Sequence, residues 1–124
     1  MEQHRLSFST AIKLDGDLAE FINDDGVEIR VAMVDEYHQW LRQHLSNPCL
    51  VLVNKRNRYT YTFDAQQEIG SIKEIKAIAF VTYDKASTVV TELLSSIPRA
   101  RQWNSRTFHD REQALAWLVS QRER

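Results

Sequence analysis

The basic run Lys55, Arg56 and Arg58 stands directly before Tyr59 and Tyr61, and Arg99, Arg101 and Arg106 surround Trp103. Cations beside aromatic faces are the chemistry of single-stranded nucleic-acid binding, in which the charges follow the backbone and the rings stack on bases. Asp64, Asp84 and Asp110 each sit where an extended pattern gives way to a helical one. A carboxylate there can act as a general base if a cleft raises its pKa, or it can cap the helix by accepting from orphaned backbone N–H groups. Four histidines and one cysteine complete the set of reactive side chains.

Each of these has a plainer reading, and the composition favours it. The 124 residues carry 16 Lys and Arg against 17 Asp and Glu, a formal net charge of -1. No overall field therefore draws the chain to nucleic acid or to an anionic membrane. Gln67 follows Asp64 by three and Gln113 follows Asp110 by three, the spacing of a reciprocal capping box, so the aspartates read as caps worth about 1 kcal/mol each. Three capped helix starts along one sheet rim leave its amide donors occupied and its charge negative, which disfavours a phosphate. Gly70-Ser71 is no phosphate-binding fingerprint by itself. His38 and His44 point about 240° apart around a helix, and His4 and His109 lie near opposite ends of the chain, so no metal site is expected. His38 reads as a surface residue beside Asp35, and His44 as a partly buried member of its helix stripe. Cys49 follows Pro48 at the head of an apolar run and reads as a small hydrophobe. GxSxG, HExxH and CxxC patterns do not occur. The sequence thus predicts no catalytic residue, no metal and no cofactor.

The elements that must position these residues follow from periodicity. Leu6, Phe8, Ile12 and Leu14 fall on every second position and predict one strand from Leu6 to Leu14. Asp15-Gly16, with a glycine suited to positive φ, turns the chain into a second strand from Leu18 to Ile22. Val34, Tyr37, Leu41 and Leu45 make a helical stripe that Pro48 ends. Leu50 to Val53 and Ala77 to Tyr83 are continuous apolar runs, the mark of strands covered on both faces. Tyr59, Tyr61 and Phe63 alternate with threonines and predict an extended piece sharing one buried face. Lys85 to Ile97 is a helix with Ala86, Val89, Val90, Leu93, Leu94 and Ile97 on one side, stopped by Pro98. Asn104 to Phe108 leads into a last helix, from Asp110 to about Arg122, with Ala114, Leu115, Leu118 and Val119 buried. A hairpin followed by strands alternating with helices predicts an α/β fold: a mixed sheet, mostly parallel, with an antiparallel N-terminal hairpin at its edge and about four helices. Residues 1–124 read as a single domain with no linker or repeat. No stretch reaches the ~18 apolar residues of a membrane span, and no secretion signal opens the chain, so a cytoplasmic location is expected.

From Leu50 to Leu118 the chain resembles the sulfate-transporter and anti-sigma-factor-antagonist (STAS) domains, in particular the bacterial branch grouped with lipid-binding CRAL-TRIO-like proteins. The likeness is carried by the buried LVLV strand, the YTYTFDAQ passage into a helix, the AIAFVTYD strand, and the closing FHDREQALAWL. Regulatory members of that family place a phosphorylatable serine just after an aspartate at a helix start. Here Phe63-Asp64 match that start, but Ala65 and Gln66 occupy the hydroxyl positions, so the switch is missing. The resemblance implies a non-enzymatic regulatory domain that offers a surface to a protein partner. That surface is expected to comprise Lys55, Arg56, Arg58, Tyr59 and Tyr61, the helix start at Asp64, Gln66 and Gln67, the strand end at Asp84, and Trp103. The alternative implied by the CRAL-TRIO-like branch is a carrier of a small apolar ligand or lipid, which needs a cavity of roughly 300 Å³ or more. A homodimer is the base-rate expectation for a protein of this size.

Overall fold

The computed structural model describes residues 2–123. Six strands form the main sheet in the order β1 (Glu2–Arg5), β2 (Ser9–Asp15), β3 (Leu18–Asn23), β5 (Cys49–Asn54), β7 (Ile75–Val81) and β8 (Ser105–Phe108). Pairing is antiparallel from β1 to β3 and parallel from β3 to β8. β4 (Glu28–Ile29) and β6 (Thr60–Tyr61) pair in parallel as a separate two-stranded sheet. The helices are α1 (Val31–His44), α2 (Phe63–Glu68), α3 (Lys85–Ser95) and α4 (Arg111–Ser120), followed by a 3-10 turn at Gln121–Glu123. This is the mixed α/β sheet with an antiparallel N-terminal edge that the alternation of strands and helices predicts.

The two faces of the sheet bury different sets. On one, Phe21, Val51, Ile78 and Phe80 pack with Val34, Tyr37, Trp40 and Leu41 of α1 and with Ala65 of α2. On the other, Leu18, Leu50, Leu52, Ala77, Ala79 and Val81 pack with Ala114 and Leu118 of α4. The continuous apolar runs of β5 and β7 exist because both faces are covered.

Four local expectations are corrected. The strand expected from Leu6 to Leu14 is broken: Leu6 to Phe8 form a corner, with the Leu6 N–H donating to the Ser9 carbonyl, and the polar segment Glu2–Arg5 pairs as the edge strand. Leu6 and Phe8 are buried from that corner, which explains why their spacing imitates a strand. Gly16 does not take a positive φ; Gly26 and Gly70 do. The strand expected from Ala77 to Tyr83 starts earlier and ends at Val81, leaving Tyr83 exposed. Phe63 is not a core partner of Tyr59 and Tyr61, because it starts α2 and is 72% exposed.

The caps divide likewise. Asp84 accepts from the Ser87 N–H at 2.7 Å and Asp110 from the Glu112 N–H at 3.0 Å. Asp64 caps nothing: the N-cap of α2 is Thr62, whose hydroxyl accepts from the Ala65 N–H at 3.3 Å, and Asp64 lies within the first turn. We expect Thr62→Ala to lower the unfolding free energy by about 1 kcal/mol and Asp64→Ala to change it by no more than about 0.5 kcal/mol. Urea unfolding of the two variants checks this, and the reverse ranking would restore Asp64 as the cap.

Candidate functional site

The parallel strands end along one rim, where Asn54 passes to Lys55, Val81 to Thr82 and Phe108 to His109. Two adjoining hollows open beside this rim. The first, about 370 Å³, is lined by Lys55, Arg56, Arg58, Tyr59, Tyr83 and Asp84 among others. The second, about 660 Å³, runs between α3 and β6 and is lined by Tyr61, Gln66, Leu93, Leu94, Ile97 and Pro98 among others. Lys55, Tyr59, Thr60 and Val90 border both.

Lys55 is the centre of this region and is not the solvated loop residue that its basic neighbours suggest. It is half-buried, its ammonium donates to the Thr91 hydroxyl at 2.9 Å, and it lies 5.4 Å from the Tyr59 ring centre and 5.6 Å from that of Phe80. Burial pushes its pKa down to about 8. Arg58 reaches Asp84 at 3.7 Å across the first hollow. Tyr59 is largely buried, and its hydroxyl is enclosed without a hydrogen-bond partner. Burial pushes that phenol well above its ordinary range.

The apolar stripe of α3 is not packed down: only Thr91 and Leu94 are buried, while Val90 is 58% and Leu93 63% exposed, and Val89 is exposed as well. Val90 and Leu93 face the groove instead of a core. On α4, Val119 is exposed in the same way, whereas Ala114 and Leu118 are buried as expected.

The structure brings Lys55, Arg56, Arg58, Tyr59, Tyr61, Gln66 and Asp84 to the two hollows. Asp64 and Gln67 are exposed on α2 and line neither. Trp103 borders a separate depression with Gly70 and Arg101. Its indole N–H donates to the Ile69 carbonyl at 3.0 Å, and the Arg99 guanidinium lies 4.0 Å over its ring. Arg99 in turn donates through Nη2 to the carbonyls of Gln66 and Leu94, tying α2 to α3.

Sequence reasoning missed a buried polar network under the same rim. Glu20, on β3, is 2% exposed. It accepts from Arg111 Nη2 at 2.7 Å and from Asn54 Nδ2 at 2.8 Å, and Asn54 Oδ1 accepts from the Tyr83 hydroxyl at 2.7 Å. Burial would raise the Glu20 pKa, but the hydrogen bonds from Arg111 and Asn54 outweigh it and hold the carboxyl below its ordinary range. A charged residue in the middle of an otherwise apolar strand was the available signal.

His38 also departs from expectation. It is 7% exposed, and its Nε2 accepts from the Gly70 N–H at 3.0 Å, which requires the neutral ring. Burial, reinforced by Arg42, pushes its pKa down to about 4. The unfolded chain takes up this proton near the usual 6.5 and the native one only near 4, so its contribution is complete above 6.5 and fades as the pH falls. Between pH 7 and pH 5 the loss is about 2 kcal/mol. His38→Gln keeps an acceptor for Gly70 and should flatten this window; chemical denaturation at the two pH values measures it. Cys49 is buried, and burial pushes its thiol up to about 12, so it is no nucleophile at neutral pH. His4 and His44, remote in sequence, lie with ring centres 4.7 Å apart. Among the described residues, no group of three His, Cys, Asp or Glu is placed to hold a metal ion, and no helix is long and apolar enough to cross a membrane.

No family model matches the chain, and no curated protein matches it. Among solved structures it is similar to an uncharacterised protein from the DUF3478 family with a SpoIIAA-like fold, from Shewanella loihica PV-4. The TM-score is 0.55 at 13% identity, over 94% of this chain and 90% of that one. The likeness shows the fold: the chain has a SpoIIAA-like architecture of the STAS type.

Proposed function

We propose that this SpoIIAA-like chain is a non-enzymatic interaction domain that presents the rim around α3 to a protein partner. The observation that carries the reading is the apolar side chains left uncovered there: Tyr83, Val89, Val90 and Leu93. Large exposed apolar groups clustered beside polar ones are the composition of a docking surface. Arg56, Arg58 and Asp84 supply the polar edge of the same hollow. Ala65 and Gln66 at the family's hydroxyl positions favour a contact without a phosphorylation cycle. A catalytic role has little to work with, since Glu20, the carboxylate buried at the strand ends, is engaged by Arg111 and Asn54. A photo-crosslinking residue at Val89 should form a protein adduct in cells, and one at the exposed Glu112 on α4 should not. Val90→Asp with Leu93→Asp should abolish the adduct. An adduct formed equally at both positions, or at neither, rejects the reading, and the mass of the adduct tells a second copy of this chain from another protein.

A second reading, a carrier of a small apolar ligand, is favoured by the groove of about 660 Å³ between α3 and β6. Its size lies within the span of roughly 300–1,000 Å³ usual for ligand sites. Native mass spectrometry of the purified chain tests it: a co-purifying lipid supports it, and a mass equal to the polypeptide counts against it.

A further inference from the structure

Lys55 is a cation in an apolar setting with no anion to match it. Among the described residues no carboxylate lies within ion-pair distance of its ammonium, which has the neutral Thr91 hydroxyl as acceptor and the faces of Tyr59 and Phe80 beside it. Every other lining group that could be expected to pair is engaged elsewhere: Asp84 accepts from Ser87 and faces Arg58. The ring of Tyr59 borders the same groove, while its hydroxyl is fully enclosed. An ammonium held among aromatic faces with one neutral acceptor and no counter-ion is costly, and the ligand chemistry that completes it is an oxyanion.

The rest of the groove defines what that oxyanion must be attached to. Beyond Lys55 and Tyr59 the lining carries no charge: Val90, Leu93, Leu94, Ile97 and Pro98 supply its apolar part, beside four neutral polar residues that include Gln66. Leu93 and Val90 are exposed because nothing among the described residues covers them. A free phosphate or a highly charged nucleotide would leave these walls wet, and an uncharged hydrocarbon would leave the ammonium unpaired. An amphiphile with one carboxylate and an apolar tail satisfies both ends. Arg99 fixes the far end by holding the Gln66 and Leu94 carbonyls together, so the groove is bounded by α2 and α3 and not merely open between them.

We infer that the groove between α3 and β6 binds a monocarboxylic acid with an apolar chain, the carboxylate seated on Lys55 and the chain along Leu93, Leu94 and Ile97. The inference rests on the carrier reading and specifies the class of ligand and its anchor. Lys55 is a binding residue here, and no bond to carbon is formed or broken.

Titration calorimetry of the whole chain with decanoate, 1-decanol and decyltrimethylammonium, which share a tail and differ in the head, tests it. Decanoate is expected to bind at least about tenfold more tightly than decanol, as a charge-assisted hydrogen bond would give, and the ammonium weakest of the three. Lys55→Met should erase the difference between decanoate and decanol while leaving decanol binding in place, and Lys55→Arg should retain the difference. Leu93→Glu, at an exposed site that does not threaten the fold, should weaken decanoate about tenfold more than decanol. Equal affinity of acid and alcohol for the unaltered chain, or a preference surviving Lys55→Met, overturns the anchor while the carrier reading stands. Failure of all three ligands to bind overturns both.

Discussion

Arg111→Met is expected to lower the unfolding free energy by about 3–5 kcal/mol, the usual cost of stripping one partner from a buried ion pair. Arg111 grips Glu20 with two nitrogens, Nη2 at 2.7 Å from Oε1 and Nε at 3.2 Å from both oxygens, while Asn54 holds the second oxygen at 2.8 Å. Methionine fills the stem of the arginine and removes only its head. What remains is a carboxylate that is 2% exposed on a central strand, with one amide for company. The pH response should reverse as well. In the unaltered chain the Glu20 pKa is lowered, so its contribution is present above the ordinary carboxylate range and is lost as the pH falls through it. In Arg111→Met burial is opposed only by the Asn54 amide and the charge of Arg56, the native pKa should rise above the unfolded one, and stability should increase as the pH drops from 7 to 5. Glu20→Leu together with Arg111→Met removes both charges and should recover most of the loss, short of the ~1–3 kcal/mol for the orphaned Asn54 amide. Urea unfolding of the single and double variants at both pH values decides the matter. A single-variant loss under about 1 kcal/mol would show that the pair is not sealed from water.

That ion pair also shows where the sequence stops being legible. Glu20 stands between Leu18 and Ile22 on one face of a short apolar strand, and its partner is 91 residues further along the chain. Periodicity reports which face of an element is apolar; it carries nothing about a polar contact made by the fold as a whole. The elements that were legible, such as β5 and β7, are those whose apolar runs are long and continuous because both faces are covered. Glu2–Arg5 was invisible for the opposite reason, since an edge strand needs only a backbone to pair with, and that partner is Thr10 to Lys13. The stripe on α3 was legible as apolar but its exposure was not, because spacing identifies a face and not its occupant. Around the candidate site the residue types were visible in the basic loop and its tyrosines, but the burial of Lys55 was not. Its neighbours Arg56 and Arg58 are exposed, and only the packing of Thr91, Tyr59 and Phe80 around the ammonium sets it apart.

Gly70→Ala is expected to cost about 3 kcal/mol, from two independent causes. The backbone at Gly70 has a φ of +72°, where an L side chain is strained by roughly 1–2 kcal/mol. A Cβ there would also meet the Trp103 indole Nε1 at 2.5 Å, so the ring must move. The ring cannot move freely, because Nε1 donates to the Ile69 carbonyl and the face carries the Arg99 guanidinium. Trp103→Phe removes the atom that the new methyl would strike. In the double variant most of the steric part of the loss should go, leaving the contact with Ile78 Cδ1 at 3.1 Å and the backbone part, and giving a coupling of about 1 kcal/mol or more between the two substitutions. Strict additivity would place the indole elsewhere. Disturbance at Trp103 should also travel to the groove, since Arg99 stacks on that ring and holds the Gln66 and Leu94 carbonyls at the groove wall. A variant that loses the stacking while staying folded should therefore bind decanoate more weakly, with Lys55 itself untouched.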